Sequence, residues 1–518
     1  MGFPRWRNGG GRSLGWRSLG WRNLALPFAA GLGMAVGQAP LGWVAIALPS
    51  LVLYIQLVAR APTRPARIWA AYAGGVGYFA ATLSWIVQPF LIDLARHGWM
   101  APFALILIAL GMALFWGAAG WLAGLSRHTA LTFAVALAGS ELARGHVLTG
   151  FPWALIGHIW TETPLIQLAA LIGPNGMTLV TTLTAGAVVA ILGASGSLRI
   201  PAAALLIVAV GGAATLYASA RLGLPEPEPR RISLRLIQPA VSQALKWDAA
   251  QADIVFQRQI GFTATQPVAD LTIWPETSVP YAMGEGSPAA MAIAAASGGR
   301  TVIVGMQRAE GAQFWNTLGV IGAGGAILAS YDKWHLVPFG EYIPYGDRLY
   351  RWFGISAFAA RAGAGYSAGP GPVLLDLGRL GRMIPLICYE AVFPAHLRQV
   401  QGRGDWILQI TNDAWFGTLT GPWQHFAQAR LRAVEQGLPL IRVANTGITA
   451  VVDARGRIVQ ADGRAMILPF GEPGYLDVPH LPGPLAPPPY ARFGEAPVLV
   501  WLAGLAGMLL WTGRRRRH

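Results

Sequence analysis

The chain has 518 residues, of which 54% are hydrophobic and only 12% are charged. This composition, with a mean hydropathy of +0.44, excludes an ordinary water-soluble globular protein and predicts a chain partly embedded in a lipid bilayer. The net charge of +15 does not indicate a nucleic-acid partner, because the arginines lie at the two ends and in short loops between apolar segments. The single cysteine excludes an internal disulfide framework and a multi-cysteine metal site.

Apolar segments suited to membrane-crossing helices, which need about 20 residues each, occur eight times. Seven of them lie in the first half of the chain, and one closes it. They cover residues 24–38, 41–59, 68–90, 100–125, 128–143, 177–195, 200–220 and 496–513. We therefore expect a multi-pass α-helical membrane bundle of about eight helices.

The distribution of arginine predicts how these helices are oriented, because Lys and Arg accumulate in cytoplasmic loops. Five arginines lie within the first 23 residues, and four stand at 514–517. An even number of spans puts both ends on the same side. The sequence thus predicts cytoplasmic termini in a bacterial inner membrane, with the long polar stretch between the seventh and eighth spans facing the periplasm.

The polar stretch begins after a proline-rich linker, and it has the texture of a separate domain. The predicted organisation runs from a basic cytoplasmic tail (1–23) and a seven-helix membrane domain (24–221) through a linker (222–230) to a periplasmic catalytic domain (231–480). A second proline-rich linker (481–495), the last membrane helix (496–513) and a basic cytoplasmic tail (514–518) complete it.

Short β-rich runs alternate with helical stretches in the polar domain, which favours a layered α/β sandwich. The predicted strands are 232–238, 271–274, 301–307, 317–320, 326–331, 373–377, 383–388, 406–411, 440–444 and 449–453. The predicted helices are 248–263, 289–296 and 423–435.

Cys388 lies in LICYEAVFP, where a predicted strand meets the first turn of a predicted helix. A thiol at such a turn feels the positive end of the helix dipole, so we expect a lowered pKa and a reactive thiolate. The alternative is a buried, inert cysteine. The residues that accompany Cys388 are needed to distinguish a reactive thiolate from an inert cysteine.

Three other segments carry groups that would suit a cysteine nucleophile. Glu276 in WPET stands at the exposed tip of a strand and could act as general base. Lys333 in YDKWHLVPFGEYIP could stabilise the oxyanion of a tetrahedral acyl intermediate, with Glu341 holding it protonated and oriented. Glu390 could support the turn at Cys388 or be a first-turn helix charge. Taken singly, Glu276 could be a solvated loop carboxylate and Lys333 a surface charge.

WPET, YDKWHLVPFGEYIP and LICYE resemble, in order and approximate spacing, the Glu-Lys-Cys triad of the carbon-nitrogen hydrolase (nitrilase) superfamily. With its flanking membrane helices, nearly the whole chain resembles the apolipoprotein N-acyltransferases. TNDAWFG, residues 411–417, and the GPWQH run after it also resemble that family.

The resemblance implies an αββα sandwich in which Glu276 is the base, Lys333 the oxyanion stabiliser and Cys388 the nucleophile. It also matches Trp247, Glu341, Tyr389 and Glu390 to family positions beside the triad. The implied reaction moves an acyl chain from a phospholipid, typically phosphatidylethanolamine, through a Cys thioester to the α-amine of the diacylglyceryl-cysteine of an apolipoprotein. We expect a monomer that needs no metal or organic cofactor, since no cluster has ligand spacing.

A lipid substrate requires a site that opens at the height of the membrane. Trp415 and Phe416, with Phe339 and Tyr342, are candidates for a mobile apolar rim that holds acyl chains; alternatively, they fill the core of the sandwich. Residues 151–176 are expected to lie along the outer membrane interface as an amphipathic cover.

Two other functions are compatible with parts of the sequence. One is a membrane-bound amidase that hydrolyses a small amide with water. The other is a transporter or lipid-handling scaffold with an inactive hydrolase-like domain. Against the second, the predicted spans carry almost no ionisable side chain at mid-depth, apart from Glu141 near a helix end, whereas transport paths usually need some.

Overall fold

The computed structural model describes residues 22–243, 249–281, 283–342 and 365–513. Its first part is helical. The long helices are α1 (Arg22–Ala35), α2 (Val44–Arg60), α3 (Arg64–Thr82), α4 (Ala101–Ala123), α5 (Thr129–Arg144), α6 (Ala169–Leu192) and α7 (Arg199–Leu222). Single-turn helices at Gln88–Leu91 and Leu94–His97 join α3 to α4.

The polar domain contains two larger sheets and a small hairpin. The strands are β1 (Leu234–Gln238), β2 (Leu271–Ile273), β3 (Thr301–Glu310), β4 (Gln313–Ile321), β5 (Ile327–Asp332), β6 (Leu375–Asp376), β7 (Arg382–Ile387), β8 (Trp406–Thr411), β9 (Leu440–Ala444), β10 (Ala450–Val452), β11 (Gln460–Ala461), β12 (Arg464–Ala465) and β13 (Gly474–Val478). The helices are α8 (Ala249–Ala264), α9 (Pro288–Ala296), α10 (Pro394–Gln399) and α11 (Gly421–Gln436). Two further helices, α12 (Pro489–Phe493) and α13 (Ala496–Thr512), follow.

All eight segments predicted as spans contain a helix, but the number of spans is not confirmed. Among the described residues, three stretches are long and apolar enough to cross a membrane: Leu94–Ala123, Pro164–Leu192 and Arg199–Leu222. A fourth results if Arg64–Thr82 and Ser84–Leu91, bent by 61° at their junction, form one broken span. The apolar helices α1, α2 and α13 are shorter. The count of eight therefore stays a prediction.

Small residues allow the first helices to pack closely. A Cβ atom on Gly31 of α1 would lie 2.0 Å from the carbonyl oxygen of Gly74 in α3. A Cβ atom on Gly120 of α4 would lie 2.7 Å from the Cβ of Ala71. Such contacts matter in a bilayer, where helices associate through van der Waals packing rather than through the hydrophobic effect.

A buried ion pair at the end of α5 fixes the loop that follows. Arg144 Nη2 lies 2.8 Å from Glu141 Oε2, and both side chains are fully buried. Arg144 also donates to the carbonyl oxygen of Trp153 at 2.9 Å. Residues 152–159 are buried within the protein, so this part of the segment is not an exposed amphipathic face, and its place at the outer membrane interface stays a prediction.

The two sheets stack face to face with helices on their outer faces. The larger sheet has the order β13-β1-β2-β3-β4-β5, and the smaller has the order β10-β9-β8-β7-β6. Side chains alternate along each strand: Leu236 of β1 packs in the layer between the sheets with Leu408 of β8, whereas Ile237 packs under α8 and α9. On the other side, Ile407 packs under α10 and α11. The predicted αββα sandwich is therefore present.

Parallel strands at the centre of each sheet determine where the functional residues lie. Strands β1, β2 and β3 are parallel, as are β7, β8 and β9. Glu276 follows the carboxyl end of β2, and Cys388 follows the carboxyl end of β7. Residues beyond the carboxyl ends of parallel strands collect at one edge of a sheet, where ligand sites usually form.

Candidate active site

Cys388 begins a single 3₁₀ turn, Cys388–Val392, directly after β7. It is buried, and its backbone φ is +53°, a conformation that costs a non-glycine residue free energy and persists only where neighbours enforce it. Two side chains do so here. Gln409 donates to the Cys388 carbonyl oxygen at 3.0 Å, and His425 Nε2 lies 3.1 Å from the same oxygen.

A buried polar network behind the cysteine holds those two side chains. Asp413 accepts from His425 Nδ1 at 2.9 Å, and its other oxygen accepts from Arg442 at 2.5 Å. Arg442 also donates to Gln409. The sequence motifs contain Asp413 and His425, but sequence reasoning gave them no role. A charged residue inside the apolar strand LIRVA was the available signal for Arg442.

Lys333 follows β5, as predicted, and its ammonium lies between two carboxylates. Nζ donates to Glu341 Oε1 at 2.8 Å and lies 3.7 Å from Glu276 Oε1. The side chain is 1% exposed. Such a buried cation needs close partners to remain charged, and Glu341 supplies the nearer one.

Glu276 is 6% exposed, so the prediction that it stands at an exposed tip is wrong, because the turn after β2 is folded into the sandwich. Asn316 Nδ2 donates to Glu276 Oε1 at 2.7 Å and to Glu341 Oε1 at 3.3 Å. Sequence reasoning missed Asn316. Its signal was a lone amide in the otherwise apolar end of a strand, FWNTLGVI.

The three proposed triad residues affect one another's charge. Burial lowers the pKa of Lys333, but Glu341, Cys388 and Glu276 raise it by more, so the pKa is shifted upward and the amine stays protonated. Burial raises the pKa of the Cys388 thiol well above its ordinary value; Glu276 raises it further and Lys333 opposes both. The expectation of a lowered cysteine pKa is wrong for this resting state, because burial outweighs the nearby cation.

Glu390 ties the cysteine turn to the lysine segment. One carboxylate oxygen accepts from the backbone N–H of Ile387 at 2.7 Å. The other accepts from the Tyr331 hydroxyl at 2.8 Å and from the Trp334 N–H at 2.8 Å. Burial raises the pKa of Glu390, although the Ile387 N–H acts against this. Of the two roles open from the sequence, the geometry favours support of the turn.

Tyr389 lies in an aromatic and histidine cluster beside the nucleophile. Its ring centroid is 4.9 Å from that of Phe393 and 5.7 Å from that of His335. His335 Nδ1 lies 3.1 Å from His396 Nε2. Burial, reinforced by Lys333, lowers the pKa of His335 to about 4. Burial, reinforced by His335, lowers the pKa of His396 to about 3. Both imidazoles are therefore neutral near pH 7.

The remaining predicted contacts fall into different environments. Phe416 is buried against Trp85 and Trp153, with ring centroids 4.9 and 5.5 Å away, which favours the alternative that it fills a core. Trp415 is half-buried. Phe339 is 56% exposed and remains a candidate for an apolar rim. Trp247 lies outside the described residues.

The membrane helices contact the catalytic layer directly. Trp153, from the loop after α5, stacks on His425 with a centroid separation of 5.7 Å and donates to Gln424 at 2.7 Å. A Cβ atom on Gly417 would lie 2.6 Å from the side chain of Gln88. The residues that support Cys388 are thus in contact with the membrane part of the chain.

Curated relatives align with most of the chain. The apolipoprotein N-acyltransferase of Caulobacter vibrioides is 37% identical over 476 residues, which cover 87% of this chain and 88% of the relative. The chain belongs to the apolipoprotein N-acyltransferase family. The enzyme of Allorhizobium ampelinum is also 37% identical, over 409 residues that cover 75% of this chain and 76% of the relative.

Family models divide the match in the same way as the fold. Residues 30–187 match the apolipoprotein N-acyltransferase N-terminal domain, and residues 234–465 match carbon-nitrogen hydrolase. Among solved structures, a carbon-nitrogen hydrolase superfamily protein from Xanthomonas campestris is 18% identical, covering 54% of this chain and 96% of that chain with a TM-score of 0.35. The relatives and the carbon-nitrogen hydrolase match identify the chain as a membrane acyltransferase with a nitrilase-type catalytic domain.

Proposed function

We propose that the enzyme transfers an acyl chain from a phospholipid to the α-amino group of the N-terminal diacylglyceryl-cysteine of apolipoproteins, through a thioester on Cys388. The observation that carries the proposal is the buried cluster of a carboxylate, an ammonium and a thiol within a nitrilase-type sandwich that contacts membrane helices. A base, a fixed cation and a sulfur nucleophile are the groups that acyl transfer requires.

In the first half-reaction, Glu276 takes the proton of the Cys388 thiol as Sγ attacks the ester carbonyl carbon of the phospholipid. A base is needed because the raised pKa keeps the resting thiol protonated. Lys333 Nζ stabilises the negative charge that develops on the carbonyl oxygen. The carbon–oxygen ester bond breaks, Glu276 returns the proton to the leaving oxygen, and lysophospholipid departs.

In the second half-reaction, the α-amine of the diacylated apolipoprotein attacks the thioester carbonyl. The carbon–nitrogen bond forms, the carbon–sulfur bond breaks, and Glu276 passes a proton from nitrogen to Sγ. The product is an N-acylated lipoprotein and a restored thiol. The reaction is ping-pong because lysophospholipid leaves before the amine attacks the thioester.

Supporting roles follow from the contacts of the neighbouring residues. Glu341 keeps Lys333 charged and oriented, and Glu390 fixes the turn that presents Cys388. Tyr389 shapes the wall beside the sulfur. We further propose that Trp415 and Trp247 contact substrate chains, whereas Phe416 packs in a core against Trp85 and Trp153.

The membrane setting belongs to the same proposal. We infer a monomer in the bacterial inner membrane, with eight spans, cytoplasmic termini and the catalytic domain of residues 231–480 in the periplasm. The donor is phosphatidylethanolamine. We infer that acyl chains reach the site from the bilayer, which the packing of the loop carrying Trp153 on the network behind the cysteine supports.

The test follows an acyl chain through the enzyme. Full-length protein in proteoliposomes receives phosphatidylethanolamine with an isotopically labelled sn-1 chain, and mass spectrometry monitors the Cys388 peptide. We expect that peptide to gain the mass of the chain and to lose it when diacylated lipopeptide is added, which then carries the label as an amide. A bare thiol throughout active turnover contradicts the thioester. Release of free fatty acid without N-acylated lipopeptide shows that water and not the amine takes the acyl chain, which supports a hydrolase such as the amidase alternative.

A further inference from the structure

Among the described residues, the side-chain amide of Asn316 forms hydrogen bonds through its nitrogen but not through its oxygen. The residue is 2% exposed. Nδ2 donates to Glu276 and to Glu341, which fixes the orientation of the amide, since an oxygen in that position would face two acceptors. Oδ1 is buried and has no hydrogen-bond partner within the part of the chain that the structure describes. A buried carbonyl oxygen without a partner is costly, and native proteins rarely leave one.

The position of this oxygen suggests what it is for. Asn316 stands in β4, opposite Gln307 of β3, and its main-chain carbonyl accepts from the Lys333 N–H at 2.8 Å. The rigid amide therefore lies among the proposed base, the cation and the second carboxylate. Carboxylates cannot donate to Oδ1, and among the described residues Lys333 Nζ donates to Glu341 and not to Oδ1. A donor that enters the site can supply the missing bond close to Glu276, because Nδ2 of the same amide is bonded to that carboxylate.

The acceptor substrate brings such a donor. A neutral primary amine has two N–H bonds and one lone pair. When the lone pair attacks the thioester, one N–H must lose its proton to Glu276, and the other remains in the amide product. Resting on the function proposed above, we propose that Asn316 Oδ1 accepts the N–H that stays, so that the site recognises an acceptor with two N–H bonds on its α-nitrogen.

Asn316 is then a residue that contacts substrate and determines acceptor specificity. Atoms balance without any further reactant: nitrogen loses one proton to Glu276, sulfur regains it, and the second hydrogen stays on nitrogen throughout. A secondary amine has a single N–H, which it must lose. Its substituent then faces Oδ1, which remains without a partner.

The experiment compares two acceptors in the full-length enzyme in proteoliposomes. One is a synthetic diacylated lipopeptide with a free α-amine, and the other is the same lipopeptide methylated on the α-nitrogen. We expect the wild type to prefer the primary amine in kcat/KM by about 10- to 100-fold, the scale of one buried hydrogen bond left unmade. Asn316→Ala should reduce that preference by about tenfold or more, even though both acceptors become slower.

A matched control is Gln307→Ala. It removes a side-chain amide from the residue of β3 that pairs with Asn316 of β4. Gln307 donates to Tyr366 and not to a catalytic carboxylate. We expect it to keep the preference of the wild type. The labelled acyl adduct on Cys388 reports whether Asn316→Ala still assembles the base and the nucleophile.

The outcomes separate the two proposals. If Asn316→Ala forms the adduct and retains the full preference for the primary amine, the role of Asn316 is overturned. If that variant does not fold, the wild type decides: equal use of both acceptors overturns the role as well. If the wild type forms no adduct and no N-acylated product, the proposed function itself is wrong.

Discussion

The helical part and the catalytic part both bury charged side chains, but they use them differently. In the helical part, Arg144 is saturated: it pairs with Glu141 and donates to main-chain carbonyls of the following loop. In the catalytic part, Lys333 is equally buried between two carboxylates, and the amide that bridges those carboxylates has an oxygen with no partner among the described residues. A saturated buried charge fixes architecture, whereas an incompletely satisfied cluster beside a nucleophile is ready to bind a reactant.

The two parts also differ in how far their apolar side chains are buried. Strand β1 buries all five of its residues, whereas α7 buries only three residues of its 24. Leu205 and Val208 of α7 are each 69% exposed within the protein. Exposure of so many apolar side chains to water is unfavourable, whereas contact with lipid is not. The exposed face of α7 is therefore the surface that a bilayer would contact.

The strongest test of the catalytic part is loss of its nucleophile. Cys388→Ala should lower acyl transfer by about 1,000-fold or more, because no residue then carries the acyl chain. Cys388→Ser should also lose transfer, since a hydroxyl is a poorer nucleophile than a thiolate. Mass spectrometry of the lipopeptide measures the product. The thermal midpoint in detergent serves as control and should change little; transfer above a tenth of the wild-type rate contradicts the assignment.

The next test removes the cation of the unsaturated cluster. Lys333→Met should slow formation of the Cys388 adduct by about 100- to 1,000-fold, the scale of a lost oxyanion contact. Adduct formation is followed over time with labelled phospholipid. Arg300→Met, which removes a partly exposed ion pair with Asp270, should leave the rate within about twofold. If Lys333→Met forms the Cys388 adduct as fast as Arg300→Met does, the proposed role of Lys333 is contradicted.

The saturated pair should affect stability rather than chemistry. Arg144→Met leaves Glu141 buried without its cation and should reduce the free energy of unfolding by about 3–5 kcal/mol. The double variant Glu141→Leu with Arg144→Met should recover a large share of that loss, because no buried charge remains. Denaturant unfolding in detergent measures both. Arg60→Met, at an exposed helix end, is the control, and equal stability of the single and double variants counts against the assigned role.

The smallest expected effect concerns the histidines beside the site. Because burial lowers the pKa of His335 to about 4 and that of His396 to about 3, both are neutral in the folded state while the unfolded chain titrates at about 6.5. Above that pH the two histidines are neutral in both the folded and the unfolded state, and they do not lower the free energy of unfolding. As pH falls from about 6.5 toward 4, the unfolded chain takes up protons first and stability is lost.

His396→Phe should make this loss shallower, because one of the two depressed groups is gone and the ring packing on Phe393 is kept. The thermal midpoint is measured between pH 7.5 and 5 for the variant, the wild type and His480→Gln, which changes an exposed histidine. Wild-type and His396→Phe curves that run parallel rule out this source of acid sensitivity.

The sequence predicted most of the elements of the catalytic part. Strands β8 and β9 have the predicted bounds, and the other predicted strands and helices agree to within a few residues, because short apolar runs between turn residues are local signals. The hairpin β11–β12 and the edge strand β13 were missed. These short, partly exposed strands have little apolar pattern to find.

The sequence by itself determined the membrane character, the order of the catalytic motifs and the identity of the base, cation and thiol to test, because residue type and periodicity are local properties. Only the tertiary structure decided the burial of Glu276, the raised pKa of Cys388 and the bridge made by Asn316. Those properties depend on distances between groups that are remote in the chain and on the exclusion of water around them, which no local pattern contains.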